Sequence, residues 1–188
     1  MDIYLIRHTK TATLKGLCYG QSNVALADTF PQEAQLIRDK LPELQPDCLI
    51  ISSPLKRCIK LAESFGKPVI TDERLLEVDF GNWENQLFDD INAEQLKQWA
   101  ENFVVQPPPN GECFNDLCER IRSFWDELVL ECTTNQVMVI THAGVIRALL
   151  AVILQLPPAN AFKFAVDVGS VHHLNHMNQY TYIRYLNR

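Results

Sequence analysis

Residues 136–150 read QVMVITHAGVIRALL. Val137, Met138, Val139 and Ile140 form an unbroken apolar run that stops at Thr141-His142, ahead of Ala143-Gly144. A near-continuous short run is the mark of a strand covered on both faces in a parallel sheet, whereas a strand with one wet face alternates. The residues after it are apolar for long enough to predict a helix over Ala143 to Leu154. The same form recurs twice upstream, in MDIYLI at 1–6, which ends at Arg7-His8, and in DCLIIS at 47–52, which ends at Ser53-Pro54.

Helices are predicted between these strands. Thr29 and Gln32 have capping-box spacing, Pro31 falls in the first turn, and Ala34, Ile37 and Leu41 make one stripe. Ser53-Pro54 opens a second helix with Leu55, Ile59 and Ala62 on one face. Asn92 to Phe103 and Phe114 to Cys132 read as two more, the latter with Leu117, Ile121, Phe124 and Leu128 on its buried side. At the end of the chain, Val171 to Met177, an Asn178-Gln179 turn and Tyr180 to Leu186 predict an antiparallel hairpin at a sheet edge. Strand, helix, strand repeats with right-handed crossovers give an α/β fold, a three-layer α/β/α sandwich around a mostly parallel sheet.

The chain has 188 residues, and 17 Lys plus Arg against 23 Asp plus Glu leave a net charge of −6. That length predicts one domain over 1–188, large enough for a core without metal or disulfide staples. With 47% hydrophobic residues, a disordered or collagen-like chain is excluded. The acidic balance argues against nucleic acid and anionic membranes as partners, since both require a basic face. The N-terminus lacks the long apolar stretch of a signal peptide, so a cytoplasmic location is expected. The six cysteines are expected to be reduced and buried, except Cys18, placed in a loop within reach of oxidants. The stretch from about 78 to 112 interrupts the alternation with Trp83, Trp99 and Pro107-Pro108-Pro109, and an insertion at one end of a sheet is expected to lid or line a site.

Ligands of open α/β sheets bind beyond the carboxyl ends of the strands. Arg7 and His8 follow the first strand, Arg57 lies one turn into the second helix, and His142 ends the third strand. Guanidinium forks match phosphoryl oxygens, and a neutral imidazole is nucleophilic near pH 7. His8 is therefore expected to attack phosphorus. The leaving oxygen then needs a proton, for which Glu77 in LLEVDFGNWEN is the first candidate and Asp79 and Glu84 are lesser ones. Backbone amides at the start of the helix after His142, from Ala143 onward, are expected to add donors for the phosphoryl group. This scheme calls for no metal and no cofactor, only a small-molecule phosphomonoester.

These residues resemble the histidine phosphatase, or phosphoglycerate mutase-like, superfamily. The resemblance is carried by RHT, SSPLKRC at 52–58, LLEVDFGNWE at 75–84, NGE at 110–112 and THAGVIRALL at 141–150, all in order. It implies that His8 is the phosphorylated nucleophile, that Arg7, Arg57 and His142 clamp phosphate, that Glu77 is the proton donor, and that Gly20 and Gln21 lie beside the phosphate. Many members read RHGET followed by an Asn that touches phosphate, where this chain has RHTKT and then Leu14. GLCYGQSNVAL is similar to the subgroup of α-ribazole 5′-phosphate phosphatases, with Asn23 in place of an Asp. In that case Tyr19 and Trp83 offer faces for a flat dimethylbenzimidazole base.

Three functions stay open under this resemblance: a phosphatase, specific or broad; a phosphoglycerate mutase-like enzyme; and a phosphate-binding scaffold. An acid beside a nucleophile has no use in a scaffold. The scarcity of Lys and Arg in the 78–112 insertion favours a phosphatase over a mutase. His172, His173 and His176 resemble a metal tract, but period-two alternation puts His172 and His176 on one face with Leu174 between them and supplies no partner ligand, so a solvated or site-rim edge is expected. Trp83, Trp99 and Trp125 are expected to pack, Trp83 being the one also placed for substrate stacking.

Overall fold

The computed structural model describes residues 1–188. Strands β1 (Asp2–Arg7), β2 (Leu49–Ser52), β3 (Val69–Thr71), β4 (Gln136–Thr141), β5 (Val171–Met177) and β6 (Tyr180–Tyr185) form one sheet in the order β3-β2-β4-β1-β5-β6. The first four run parallel, and β5 pairs antiparallel with both β1 and β6, so the hairpin closes one side as expected. Helices α1 (Phe30–Asp39), α2 (Lys56–Glu63), α3 (Ala93–Asn102), α4 (Phe114–Glu131) and α5 (Ala143–Ile153) complete the chain. No helix is long and apolar enough to cross a membrane.

Alternation along the strands sorts the core into two layers. Ile3, Leu5, Val137, Val139 and Leu174 face α4 and α5. Tyr4, Ile6, Ile50, Met138 and Val171 face the side of α1 and α2. Helix α4 buries Leu117, Ile121, Phe124 and Leu128 at helical spacing, and Asp116 accepts from the Cys113 amide at its start (3.0 Å). Helix α5 buries seven of its 11 residues, which fits its position inside the larger layer.

Several local expectations change. Thr29 takes helical torsions, so its hydroxyl turns to the Glu33 carboxylate (2.6 Å) and caps no backbone amide. Helix α2 begins at Lys56, not at Ser53-Pro54, and its buried face is Arg57, Cys58, Leu61 and Ala62, with Ile59 half-buried. Strand β3 is absent from the sequence reading because it has only three residues and sits at the sheet edge with two of them exposed. Cys18 is 1% exposed beside Trp83 and Ile91, and burial pushes its thiol up to about 12, which removes it from the reach of oxidants.

Candidate active site

Parallel register brings the chemistry together. Arg7 lies opposite Thr141, and Ser52 opposite Ile140, so β1 and β4 end level and β2 stops one residue short of them. The next residues, His8, His142 and Ser53, therefore emerge side by side. The rings of His8 and His142 meet edge-on, with centroids 5.2 Å apart. His8 is 4% exposed, and its Nδ1 lies 2.7 Å from the Thr9 carbonyl. A carbonyl only accepts, so Nδ1 carries the proton and Nε2 keeps the lone pair. Burial, with the charge of Arg57, lowers the His8 pKa to about 3. The imidazole is neutral at pH 7.

His142 has the opposite tautomer. Arg57 Nε donates to its Nδ1 (3.3 Å), and a guanidinium has no lone pair, so the His142 proton sits on Nε2 and points to Ser53 Oγ (2.8 Å). Burial and then the neighbouring His8 hold its pKa well below the usual histidine range. Arg57 is 1% exposed. Its other bonds run to the carbonyls of Ser22 (2.8 Å) and Gly20, and its guanidinium lies over the Tyr19 ring, 5.4 Å from the centroid. Arg7 donates from one terminal nitrogen to the Val166 carbonyl (2.7 Å).

Only two buried side-chain polar atoms in the protein lack a partner, Arg7 Nε and Thr9 Oγ1. They belong to the residues on either side of His8. An unpaired buried donor costs about 1–3 kcal/mol, so a pair of them beside a nucleophile marks a place fitted to an oxyanion.

The three carboxylates proposed as acids separate cleanly. Glu84 accepts from the amides of Gly20, Gln21 and Ser22 (2.9, 2.9 and 3.1 Å), from the Ser22 hydroxyl and from the Phe80 amide. It ties the 19–22 loop, whose carbonyls hold Arg57, to the 78–84 segment. Asp79 accepts from the Gly81 amide (2.7 Å). Glu77 instead sits at the start of α5, where Gly144 N–H donates to Oε2 (3.1 Å) and its own segment supplies the Val78 amide (3.0 Å). A Cβ on Gly20 would come 1.8 Å from the Val78 carbonyl, so that position requires glycine, while one on Gly144 would come 2.3 Å from Glu77 Oε1 and push that carboxylate from its place. The Gly144 amide, expected to face the phosphoryl group, is thus occupied by Glu77. The Gln21 side chain donates to the Glu77 carbonyl (3.1 Å), and so does Arg120 (3.1 Å), whose fork is held by Glu112 at 2.6 and 2.8 Å. Sequence reading missed Arg120 and Glu112 as a brace for Glu77, because their pairing is visible only once α4 is packed.

Beside Glu77 opens a cavity of about 360 Å³, bounded by Tyr19, Ala143 and Gly144 on the catalytic side. Its far side is aromatic: Trp99, Phe103, Phe114 and Phe162, with the Phe103 and Phe162 rings 4.6 Å apart. The 78–112 stretch supplies Val78, Phe80, Trp99, Ala100, Phe103 and Glu112 to the lining. Trp83 does not line it. That ring is 5% exposed, packed edge-on against Trp99 at 5.6 Å and against Cys18 and Ile91, so Trp99 presents the indole face that Trp83 was expected to offer.

Leu14, Asn23 and the C-terminal histidines do not line this cavity. Leu14 is 72% exposed, and Asn23 accepts from the Lys56 amide at the start of α2 (2.9 Å). The C-terminal histidines diverge. His172 bonds to Ser170 Oγ (3.0 Å), His173 to Asp2 (2.8 Å) and His176 to Thr181 (2.9 Å), and no group of three or more His, Cys, Asp or Glu is gathered as a metal site.

A sheet ending in two buried histidines and two anchored arginines, with a carboxylate at the mouth of a cavity, is an arrangement for phosphoryl transfer. The chain belongs to the histidine phosphatase superfamily (branch 1), whose family model matches residues 3–188. It is a phosphatase. The adenosylcobalamin/alpha-ribazole phosphatase of Escherichia coli K12 is 27% identical over 199 residues, covering 100% of this chain and 96% of that protein. Phosphoserine phosphatase 1 of Hydrogenobacter thermophilus is 25% identical, over 90% of this chain and 84% of its own. The crystal structure of the alpha-ribazole phosphatase from Shigella flexneri superposes with a TM-score of 0.91 at 26% identity, over 100% of this chain and 96% of that one.

Proposed function

We propose that the protein hydrolyses a phosphomonoester through a phosphohistidine at His8, and that its substrate is of the α-ribazole 5′-phosphate class. The observation that carries the chemistry is the pair of unpartnered buried donors, Arg7 Nε and Thr9 Oγ1, flanking a neutral His8 whose Nε2 keeps its lone pair. In the first step Nε2 forms a bond to phosphorus while the bond from phosphorus to the ester oxygen breaks, and Glu77 gives its proton to that oxygen. Arg7, Arg57 and Thr9 hold the equatorial oxygens. In the second step Glu77 takes a proton from water, whose oxygen attacks phosphorus and releases His8 as the neutral imidazole. His142 positions the Arg57 fork and joins the clamp once phosphate is present.

Three facts support the substrate class: the CYGQS segment, similarity over the whole chain to two proteins named as alpha-ribazole phosphatases, and a cavity with flat aromatic walls next to the acid. Only contacts beyond the shared phosphate distinguish one monoester from another. The test is kcat/KM on α-ribazole 5′-phosphate, L-phosphoserine and 3-phosphoglycerate. The expected preference for the first is about 10-fold or more, since the two smaller alcohols have no flat ring to lie along the aromatic walls. Equal values across the three make the enzyme a broad-specificity phosphatase.

A further inference from the structure

The cavity contains a cation that the phosphoryl chemistry does not use. Arg147 lies one turn after Ala143 on α5, so both face the cavity. Its Nε donates to the Phe164 carbonyl (3.3 Å), and its guanidinium carbon stands 5.2 Å from the centroid of the Phe162 ring. These contacts fix the plane of the guanidinium against the aromatic wall and use one of its five N–H groups. Neither acid of the cavity pairs with it directly: Glu112 is engaged by Arg120, and Glu77, bonded to backbone amides, acts on it only through its field. Burial and then the charge of Arg7 lower the Arg147 pKa while Glu77 raises it, which places this group in the field of the catalytic rim. A half-buried charge without a partner is costly unless a ligand supplies one.

We infer that Arg147 is a specificity-determining residue, whose two terminal nitrogens donate to a hydrogen-bond acceptor on the alcohol part of the substrate. The inference rests on the proposed phosphatase chemistry and deepens it. The preferred esters have a flat or apolar alcohol that lies along Phe162 and Trp99 and bears an acceptor away from the phosphate. A carboxylate binds most strongly because both charge and fork are matched, and a bare ring nitrogen such as that of a benzimidazole binds by the same contact.

Two matched aryl esters test it, 4-carboxyphenyl phosphate and 4-methylphenyl phosphate, each measured as kcat/KM on the wild-type enzyme and on Arg147→Met. The ratio of carboxylate to methyl ester is expected to fall about tenfold in the variant. Comparing ratios cancels the intrinsic reactivity of the two leaving groups, and a merely structural role for Arg147 lowers both rates together without moving the ratio. Arg147→Gln keeps a donor and most of the length without the charge. It carries the test if Arg147→Met does not fold, with a fall in the same direction. An unchanged ratio in a folded variant overturns the inference and leaves the phosphatase reading standing. No turnover of either ester by the wild type overturns both.

Discussion

His8, Arg57 and His142 reach the site from the ends of neighbouring parallel strands or the first turn of the helix that follows, whereas Trp99, Phe103 and Phe162 reach it from α3, the stretch after it and the turn at 158–163. Strand register sets the rim, and its polar atoms are bound to one another and to loop carbonyls. The wall is a stack of rings at 4.6 to 6.2 Å held by packing alone. Hydrogen-bond geometry tolerates little displacement, while apolar contacts re-form after small shifts. The rim should therefore carry the chemistry and the wall the choice of substrate, and substitutions at the two should fail differently.

The largest effect is expected at the rim. His8→Ala removes the nucleophile, so turnover should fall on the order of 10⁴ to 10⁶-fold, with no acid-labile phosphoenzyme after a rapid quench. Phe162→Ala at the wall should still form the phosphoenzyme and raise KM on bulky esters. A phosphoenzyme in His8→Ala, or none in Phe162→Ala, breaks the division.

Glu77 and Glu84 sharpen it. Glu77→Gln removes the transferable proton, and general acid catalysis contributes about 10² to 10⁴ in rate, so the loss should be greatest on alkyl esters and small on 4-nitrophenyl phosphate, whose leaving group needs little protonation. Glu84→Gln puts an amide where four backbone N–H groups expect a carboxylate. It should loosen the 19–22 loop and hence Arg57, with a loss of similar size on both esters and a lower Tm. A leaving-group dependence in Glu84→Gln, and none in Glu77→Gln, exchanges the two roles.

The same division explains what could be read in the sequence. Strand β4 has the predicted limits of 136–141 and β1 is off by one residue at each end, because doubly covered strands are unbroken apolar runs and their ends are where polarity starts. Arg7, His8, Arg57 and His142 follow from those ends. The wall did not follow. Choosing Trp83 over Trp99 looks equally reasonable in one dimension, and only the packing of the 78–112 stretch decides which indole faces the cavity. Glu84 resembled an acid by proximity, while its five hydrogen bonds come from residues up to 64 positions away. Arg147 carried a usable signal, its i+4 spacing from Ala143, which becomes meaningful once Ala143 is placed at the site.

The smallest expected effect concerns acid. His172 lies behind the rim, fully buried, donating from Nε2 to Ser170 Oγ and accepting at Nδ1 from the Asn187 amide, and burial lowers its pKa to about 4. The unfolded chain protonates such a histidine near 6.5, while the folded chain resists until about 4. Its contribution to stability is therefore complete above 6.5 and lost as pH falls toward 4, and His8 and His142 shift in the same direction. His172→Gln keeps a donor and an acceptor at the position without the titration. Between pH 7.5 and 5 the Tm of the wild type should fall by about 4–8 °C more than that of the variant, corresponding to about 2 kcal/mol. Taking the difference between the two proteins cancels the carboxylates that titrate in both. Phe162→Ala should lower Tm by a similar amount at both pH values, because the rings it packs against, Phe103 and Phe114, carry no ionisable group. Parallel slopes for wild type and His172→Gln mean that the buried histidine behind the rim is not what makes the protein sensitive to acid.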